Sequence, residues 1–498
     1  MAPRLKPSFP WLTAVWFYWW TRLHNLDSLP VFLDEAAHIW WARLVWEWQP
    51  FHAASDGRLL NVLWAAVFWP FNSSVWVTRG ATVLLTTVGF AALLALSQRF
   101  LPRPAATVTA VTYAVVPFAL FFERMQLPDT YATACSLILL WSSAELARSP
   151  HRRSNTIIAA LALAASLLSK ITSLVFVPVP ALAALIIGCR YRWRAHARAT
   201  LRVYLLTVAL LLPVLTVLRA IARSDLGWDL LARKTASSPA EMWAQAQFTG
   251  PMVWSYFHVL FTPWLWWMGL VTIAIALWKR TRMSLYVCAT ALLGLLPLIS
   301  KSNPGFLEAR FALPYVALLI LLMAAGAATL WKRVAQLGAS IRITVVVIGI
   351  LALIPSIQFM RNTFGNPEVL ELPRRDAWEY IRGWPSGYGF REIATQFNAR
   401  GLPLQLLTFD LGGQQRISAY LPPGSPLTPV WKPPEEFSAG LVKTEVGTRS
   451  LLVLDHPKDD NDLAALKLDF QPLQTFPRPG GESWLTVYKL EGTNGGNN

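Results

Sequence analysis

Long apolar runs recur through the first 360 residues, with short clusters of Arg and Lys between them. No other feature limits the fold as tightly. A helix needs about 20 apolar residues to cross a bilayer, and in hydrocarbon only helices and closed barrels satisfy their own backbone. Runs of suitable length lie near 10–25, 75–98, 105–122, 130–147, 200–221, 257–278, 283–300, 309–331 and 341–360. The stretch 154–188 is too long for one crossing and carries Lys170. A lysine at the bilayer centre costs about 2.5–3.5 kcal/mol. Two short spans, 154–169 and 172–188, with Lys170 in the turn between them, avoid that cost. The run 59–71 is short, ends in Trp69-Pro70-Phe71 and reads as an interfacial or re-entrant helix rather than a span. Eleven spans result.

The charge is divided along the chain. Residues 1–360 hold 30 Lys and Arg against 12 Asp and Glu, whereas residues 361–498 hold 14 against 16. With 54% hydrophobic and only 14% charged residues, soluble single-domain, disordered and fibrous classes are excluded. The cations cluster at 4–6, 99–103, 148–153, 190–202, 279–282 and 332–342, which are alternate loops of an eleven-span chain. The positive-inside rule then places them and the N-terminus in the cytoplasm, and residues 362–498 outside a plasma membrane. Charge set between apolar runs, rather than on one face, excludes nucleic acid as a partner. The apolar start is long, has no small-residue cleavage site and reads as a retained anchor. Cys135, Cys189 and Cys288 offer neither a disulfide framework nor zinc spacing. No cofactor is indicated, and a divalent metal is possible at the outer carboxylates without being called for.

The chain therefore divides into a membrane domain, 1–361, with a first outer loop at 26–74, and a soluble α/β domain, 362–498. In the tail, Gly383–Gly389 is turn-rich and leads into a helix near 390–399. Leu404–Phe409, Ser450–Leu454 and Ser483–Leu490 read as strands, and Pro422–Pro434 as a proline-rich loop.

Eleven of the twelve acids before residue 361 fall in or beside outer loops: Asp27, Asp34, Glu35, Glu47, Asp56, Glu123, Asp129, Asp225, Asp229, Glu241 and Glu308. A carboxylate near hydrocarbon is costly and marks a functional candidate. Asp34 and Glu35 are the only adjacent acidic pair in this region, and Trp40, Trp41, Trp46 and Trp48 follow within one helix. That pattern fits a carboxylate beside rings that cover a sugar; it also fits a helix cap within an interfacial aromatic belt. Phe122-Glu123-Arg124-Met125-Gln126-Leu127-Pro128-Asp129 joins two spans on the outer side, and Asp129 suits a helix start as well as a site. Arg58, Lys170 and Arg310 are outer cations that either snorkel to headgroups or together hold a phosphate.

Taken in order, four features resemble the GT-C integral-membrane glycosyltransferases. They are Asp-Glu in the first outer loop, Glu-Arg-Met…Asp two spans later, a lysine in a tight outer turn, and Glu308-x-Arg310-Phe311-x-Leu313-Pro314 opening a late span. The resemblance is to the branch of the protein O-mannosyltransferases and lipid A aminoarabinose transferases. It covers roughly residues 10–360, and Trp384–Gly389 resembles the outer domain of prokaryotic relatives. It implies inverting transfer of a sugar from a polyprenyl-phosphate donor to a hydroxyl of a protein, lipid or glycan acceptor, with membrane lipids as surroundings. Relatives often have Tyr where this chain has His38, and Lys-Pro-Pro where it has Arg58-Leu59-Leu60. A lipid phosphate is a good leaving group and needs cations, while the acceptor hydroxyl needs a base. Asp34 is the expected base, with Asp129 orienting it or the acceptor and Glu35 beside it. Arg58, Lys170, Arg310 and Arg124 are the expected phosphate ligands, and His38 and Trp41 the expected substrate contacts. A glycan polymerase or ligase, or a non-catalytic carrier-lipid binder or transporter, are the alternatives.

Overall fold

The computed structural model describes residues 9–49, 58–69, 74–188, 192–222, 238–301, 305, 307–436, 450–466 and 470–489. Asp56-Gly57, Pro70-Phe71, Cys189, Asp225, Asp229 and the last residues from Gly492 lie outside these. The helices before the tail are α1 (Phe9–Leu23), α2 (Leu33–Trp46), α3 (Leu59–Phe68), α4 (Ser74–Phe100), α5 (Arg103–Val115), α6 (Pro117–Phe122), α7 (Pro128–Arg148), α8 (Arg153–Ser169), α9 (Val179–Ile186) and α10 (Trp193–Ala222). They continue as α11 (Pro239–Leu260), α12 (Pro263–Trp278), α13 (Arg282–Lys301), α14 (Leu313–Val334), α15 (Ala339–Leu351) and α16 (Ile354–Gly365).

Among the described residues, five helices are long and apolar enough to cross a membrane, or six if one bent pair counts as a single crossing. Every run read as a span is helical, but several are broken or short. Pro117 opens α6 and splits the run 105–122, because the residue before a proline is driven out of the helical region. The run 257–278 is not one rod: α11 and α12 meet at 110°, with Thr262 at φ +66° between them. Helix α11 begins far upstream on a capping box, Ser238 accepting from the Glu241 N–H and Glu241 reaching back. The break at Lys170 falls where the cost of a buried lysine puts it, between α8 and a 3₁₀ turn at Ile171–Phe176.

The described chain gathers into two compact units, neither a single stretch. The first comprises Met1–His24, Phe51–Asn61 and Gly80–Phe364. Its helices pack through small residues, as suits a medium without a hydrophobic drive between helices. A Cβ on Gly326 of α14 would lie 1.7 Å from the Thr272 carbonyl oxygen of α12. The second comprises Asn25–Pro50, Val62–Arg79 and Gly365–Asn498. It holds α2, α17 (Phe390–Asn398), α18 (Leu411–Ser418), α19 (Asp460–Leu466) and a five-stranded sheet. The strands are β1 (Leu404–Thr408), β2 (Leu427–Trp431), β3 (Ser450–His456), β4 (Gln471–Pro477) and β5 (Trp484–Lys489), in the order β2-β1-β3-β5-β4. The first three are parallel, and β5 and β4 return antiparallel. Leu406, Val453 and Val487 face one core with Phe390, Ile393 and Phe397, while Leu407, Leu452 and Leu454 face the other. The two strands missed in the sequence, β2 and β4, are the sheet edges. Each contains a proline, which cannot donate to a ladder and belongs on an edge.

Candidate active site

In the first unit the acids and cations meet because the chain doubles back. Helix α7 leaves Asp129, α8 returns antiparallel to it, and Lys170 ends α8 beside the residue that started α7. The Lys170 ammonium donates to Asp129 Oδ1 and sits 4.0 Å over the Phe311 ring, a cation–π contact. Arg310, in the 3₁₀ turn before α14, brings its Nε 2.7 Å from Glu308 Oε2 and 4.0 Å from Asp129 Oδ2. Asp129, Glu308 and Arg310 are all buried. Burial, with the positive charges of Arg310 and Arg58, holds the Lys170 ammonium below its ordinary value, against the pull of Asp129. Arg58 is half-buried, just ahead of α3. The cluster thus draws on positions 58, 129, 170, 308 and 310. Lys332 and Arg333 end α14, a helix of 22 residues and about 33 Å at 1.5 Å per residue, so they lie at its far end from Arg310.

The link into Asp129 is anchored on α1. Glu123 accepts from the Tyr18 hydroxyl (3.0 Å), Arg22 Nε (2.9 Å) and the Tyr113 hydroxyl (2.5 Å), all buried. Arg124 donates to the carbonyls of Thr21, Arg22 and His24, satisfying the C-terminal end of α1. Arg124 therefore grips the backbone of α1, two residues before Gln126, which donates to the Asn61 carbonyl.

The second unit places the acidic pair at the start of α2. Asp34 is half-buried, whereas Glu35 is wholly buried. Adjacent helical residues point about 100° apart, which is the geometric reason for the difference. Glu35 takes both arms of the Arg79 guanidinium, at 2.8 and 2.6 Å. Arg79 also donates to the carbonyls of Leu26 and Leu29. His38 is wholly buried with its ring edge toward Trp41, 5.5 Å between centroids, and Trp41 is half-buried. Tyr420 accepts from the Val31 N–H at 2.5 Å; burial pushes its hydroxyl up to about 12, so it stays neutral.

The structure brings Lys170 and Arg310 together on Asp129, which the sequence sets beside Asp34 or the acceptor rather than among the cations, and Arg58 is near enough for its charge to act on Lys170. Two residues escaped the sequence reading: Arg22, partner of Glu123, and Arg79, partner of Glu35. Each is a lone arginine at the edge of an apolar helix rather than in a basic cluster, and an arginine so placed requires a partner. Among the described residues, no group of three or more His, Cys, Asp and Glu side chains is arranged to hold a metal.

A family described as dolichyl-phosphate-mannose-protein mannosyltransferase matches residues 59–217. No curated protein sequence matches the chain. Among solved structures, apo ArnT from Cupriavidus metallidurans is similar with a TM-score of 0.56 at 13% identity, over 98% of both chains. The same protein bound to undecaprenyl phosphate gives 0.58 at 14%, again over 98% of both. The archaeal oligosaccharyltransferase AglB from Archaeoglobus fulgidus, in complex with an inhibitory peptide and a dolichol-phosphate, gives 0.51 at 10%, over 98% of this chain and 74% of that one. The resemblance drawn from the residues is thereby borne out: the chain shares the fold of these GT-C membrane proteins. It is similar in particular to the mannosyltransferase and ArnT branch.

Proposed function

We propose that this chain is an inverting glycosyltransferase that takes a sugar from a polyprenyl-phosphate donor and passes it to an acceptor hydroxyl on the outer face of the membrane. The observation that carries the reading is the gathering of Lys170 and Arg310 on Asp129, with Arg58 acting electrostatically on Lys170. Among the described residues, Lys170 and Arg310 meet Asp129 and Glu308, and Arg58 adds its charge near Lys170. Cations concentrated in this way suit a phosphate ligand. The departing lipid phosphate is stabilised by cations fixed in advance, where low polarity makes them most effective. A phosphate leaving group needs no proton donor, unlike the alkoxide of a glycoside. Asp34 is assigned as the base on the acceptor hydroxyl, and Glu35 as the group that fixes Arg79. Arg124 is assigned to hold the Glu123–Asp129 link in place rather than to touch phosphate. His38 and Trp41 are assigned to the wall beside Asp34. Eleven spans, with the N-terminus inside and the tail outside, remain the topology that sorts the basic clusters onto one side. The similarity to a structure bound to undecaprenyl phosphate supports a lipid-phosphate ligand of this class.

The test is transfer by purified protein from short-chain polyprenyl-phosphate mannose and related lipid-phosphate sugars, with binding of polyprenyl phosphate measured in parallel. Loss of one cation from a charged hydrogen-bonding site costs about 1.5–3 kcal/mol. Arg58→Ala should therefore weaken donor use most among the three single-cation losses, and Arg58→Lys should keep part of it. Binding without transfer of any sugar would instead make the chain a carrier-lipid binder. Transfer only of an assembled glycan would make it a ligase.

A further inference from the structure

We propose that the C-terminal part of the chain positions the candidate base, with Tyr420, Arg391 and Gly387 as the positioning residues that fix the segment leading into Asp34. This deepens the reading of Asp34 as the base and rests on it. Residues 24–32 form turns and irregular chain between α1 and α2. Such a segment must find partners for its backbone groups elsewhere. Leu26 and Leu29 give their carbonyls to Arg79. Asp27 and Ser28 give theirs to Arg391 Nη1 and Nη2, at 2.9 and 3.2 Å. The Val31 N–H donates to the Tyr420 hydroxyl, and the Leu33 N–H to the Pro385 carbonyl at 2.9 Å. Four of these six backbone groups are therefore held by residues more than 340 positions downstream.

The Leu33 bond matters most for Asp34. Helix α2 begins after Phe32, whose side chain makes no capping hydrogen bond. The first N–H groups of a helix have no partner inside it, and here the carbonyl of Pro385 fills that role for Leu33. Asp34 is the next residue, so its direction follows from where this turn is pinned. Contact is close enough to exclude a side chain at Gly387: an added Cβ would lie 2.1 Å from the Val31 carbonyl oxygen and 2.8 Å from its nitrogen. Both are backbone atoms, so the segment itself would have to move. The Phe32 ring meets Tyr380 edge-on at 4.6 Å, and Val31, Ala36 and Ile39 pack with Ala419. Six backbone groups of 26–33 are held in this way, so much of its path is fixed through atoms that do not depend on its side chains, and Phe32 and Val31 add packing. The Trp384–Gly389 motif thus carries a physical requirement: a carbonyl at 385 for the helix start and no side chain at 387.

The experiment uses the full chain in cells lacking its gene, complemented with variants at matched membrane levels, and the same variants purified. Gly387→Ala should speed hydrogen exchange at the Val31 and Leu33 amides while those of β3 stay protected. Polyprenyl phosphate should bind within about twofold of wild type, and sugar transfer, read as the modified envelope glycan by mass spectrometry, should fall 10- to 100-fold. A misplacement of about 1 Å can cost about 100-fold. Tyr420→Phe adds no atom, and should give the same pattern more weakly if Gly387→Ala does not accumulate. Combined with Asp34→Asn, neither variant should lower transfer further, whereas a defect in folding would. Wild-type transfer and exchange in both variants would overturn the proposal, as would an undiminished further loss on the Asp34→Asn background. Normal transfer by Asp34→Asn alone would remove the base assignment instead, leaving the exchange result to decide whether the segment is held.

Discussion

Asp34 and Glu35 are neighbours with opposite surroundings, and the difference decides what each substitution does. Glu35 takes both arms of the Arg79 guanidinium, and both residues are wholly buried. Removing one partner of a buried pair strands the other charge and costs about 3–5 kcal/mol. Glu35→Gln should therefore act on folding: thermal unfolding in detergent should shift down sharply, and a wild-type melting curve would mean Arg79 does not depend on it. Lys170 makes a prediction in pH. Its ammonium is held below the ordinary 10.5. Between that depressed value and 10.5 the unfolded chain binds more protons than the folded one, so stability rises with pH across the window. Donor use falls across the same window as the charge is lost. The alkaline limb of kcat/KM for the donor should lie below pH 10.5 and move up in Lys170→Arg; an unmoved limb would separate it from Lys170. At this scale much was legible. Lys170 and Arg310 stand at the ends of apolar helices and Asp34 opens α2 in an adjacent acidic pair, places where a charge needs a reason. Arg22 and Arg79 were not, because their partners lie 101 and 44 residues away and only packing brings them together.

Helices were readable as apolar runs, but their breaks depended on single residues. The break at Lys170 follows from desolvation cost alone. The break at Thr262 does not, since α11 and α12 are each apolar and their junction holds no charge. The capping box at Ser238–Glu241 was the available signal for α11, and it precedes the run that hydropathy singles out. Edge strands β2 and β4 were lost to their prolines for a similar reason: the residue that marks an edge also marks a loop. Helix packing yields its own test. Gly326→Val would put side-chain atoms into the backbone of α12. The two helices would have to separate, and the melting temperature in detergent should fall well below wild type. Unchanged melting would mean α12 and α14 are not held at this distance.

At the scale of the molecule, a boundary near residue 361 separates membrane from tail in composition, yet the compact units interleave. Residues 25–50 and 62–79 gather with the tail rather than with the helices that flank them. Hydropathy could not reveal this, because many of the contacts of residues 25–33 are made by backbone groups and the apolar ones join positions more than 340 residues apart. Sidedness is tested by labelling. A cysteine at Thr428, exposed on edge strand β2, should react with an impermeant thiol reagent in intact cells, and one at Ser154, exposed at the start of α8, should not. The reverse pattern would invert the topology.

If this chain transfers a lipid-carried sugar with Asp34 as base, removing that base should remove most of the transfer. General-base catalysis contributes about 10²–10⁴-fold, and Asn keeps the size of the side chain without accepting a proton. The direct measurement is mass spectrometry of cell-envelope glycans in cells lacking the gene, complemented with wild type or Asp34→Asn at equal membrane levels, with polyprenyl-phosphate binding checked on the purified proteins. A sugar unit should disappear with the gene, return with wild type and fall at least 100-fold with Asp34→Asn, while binding persists. An envelope unchanged by loss of the gene would contradict the activity, and wild-type glycan from Asp34→Asn would contradict the base.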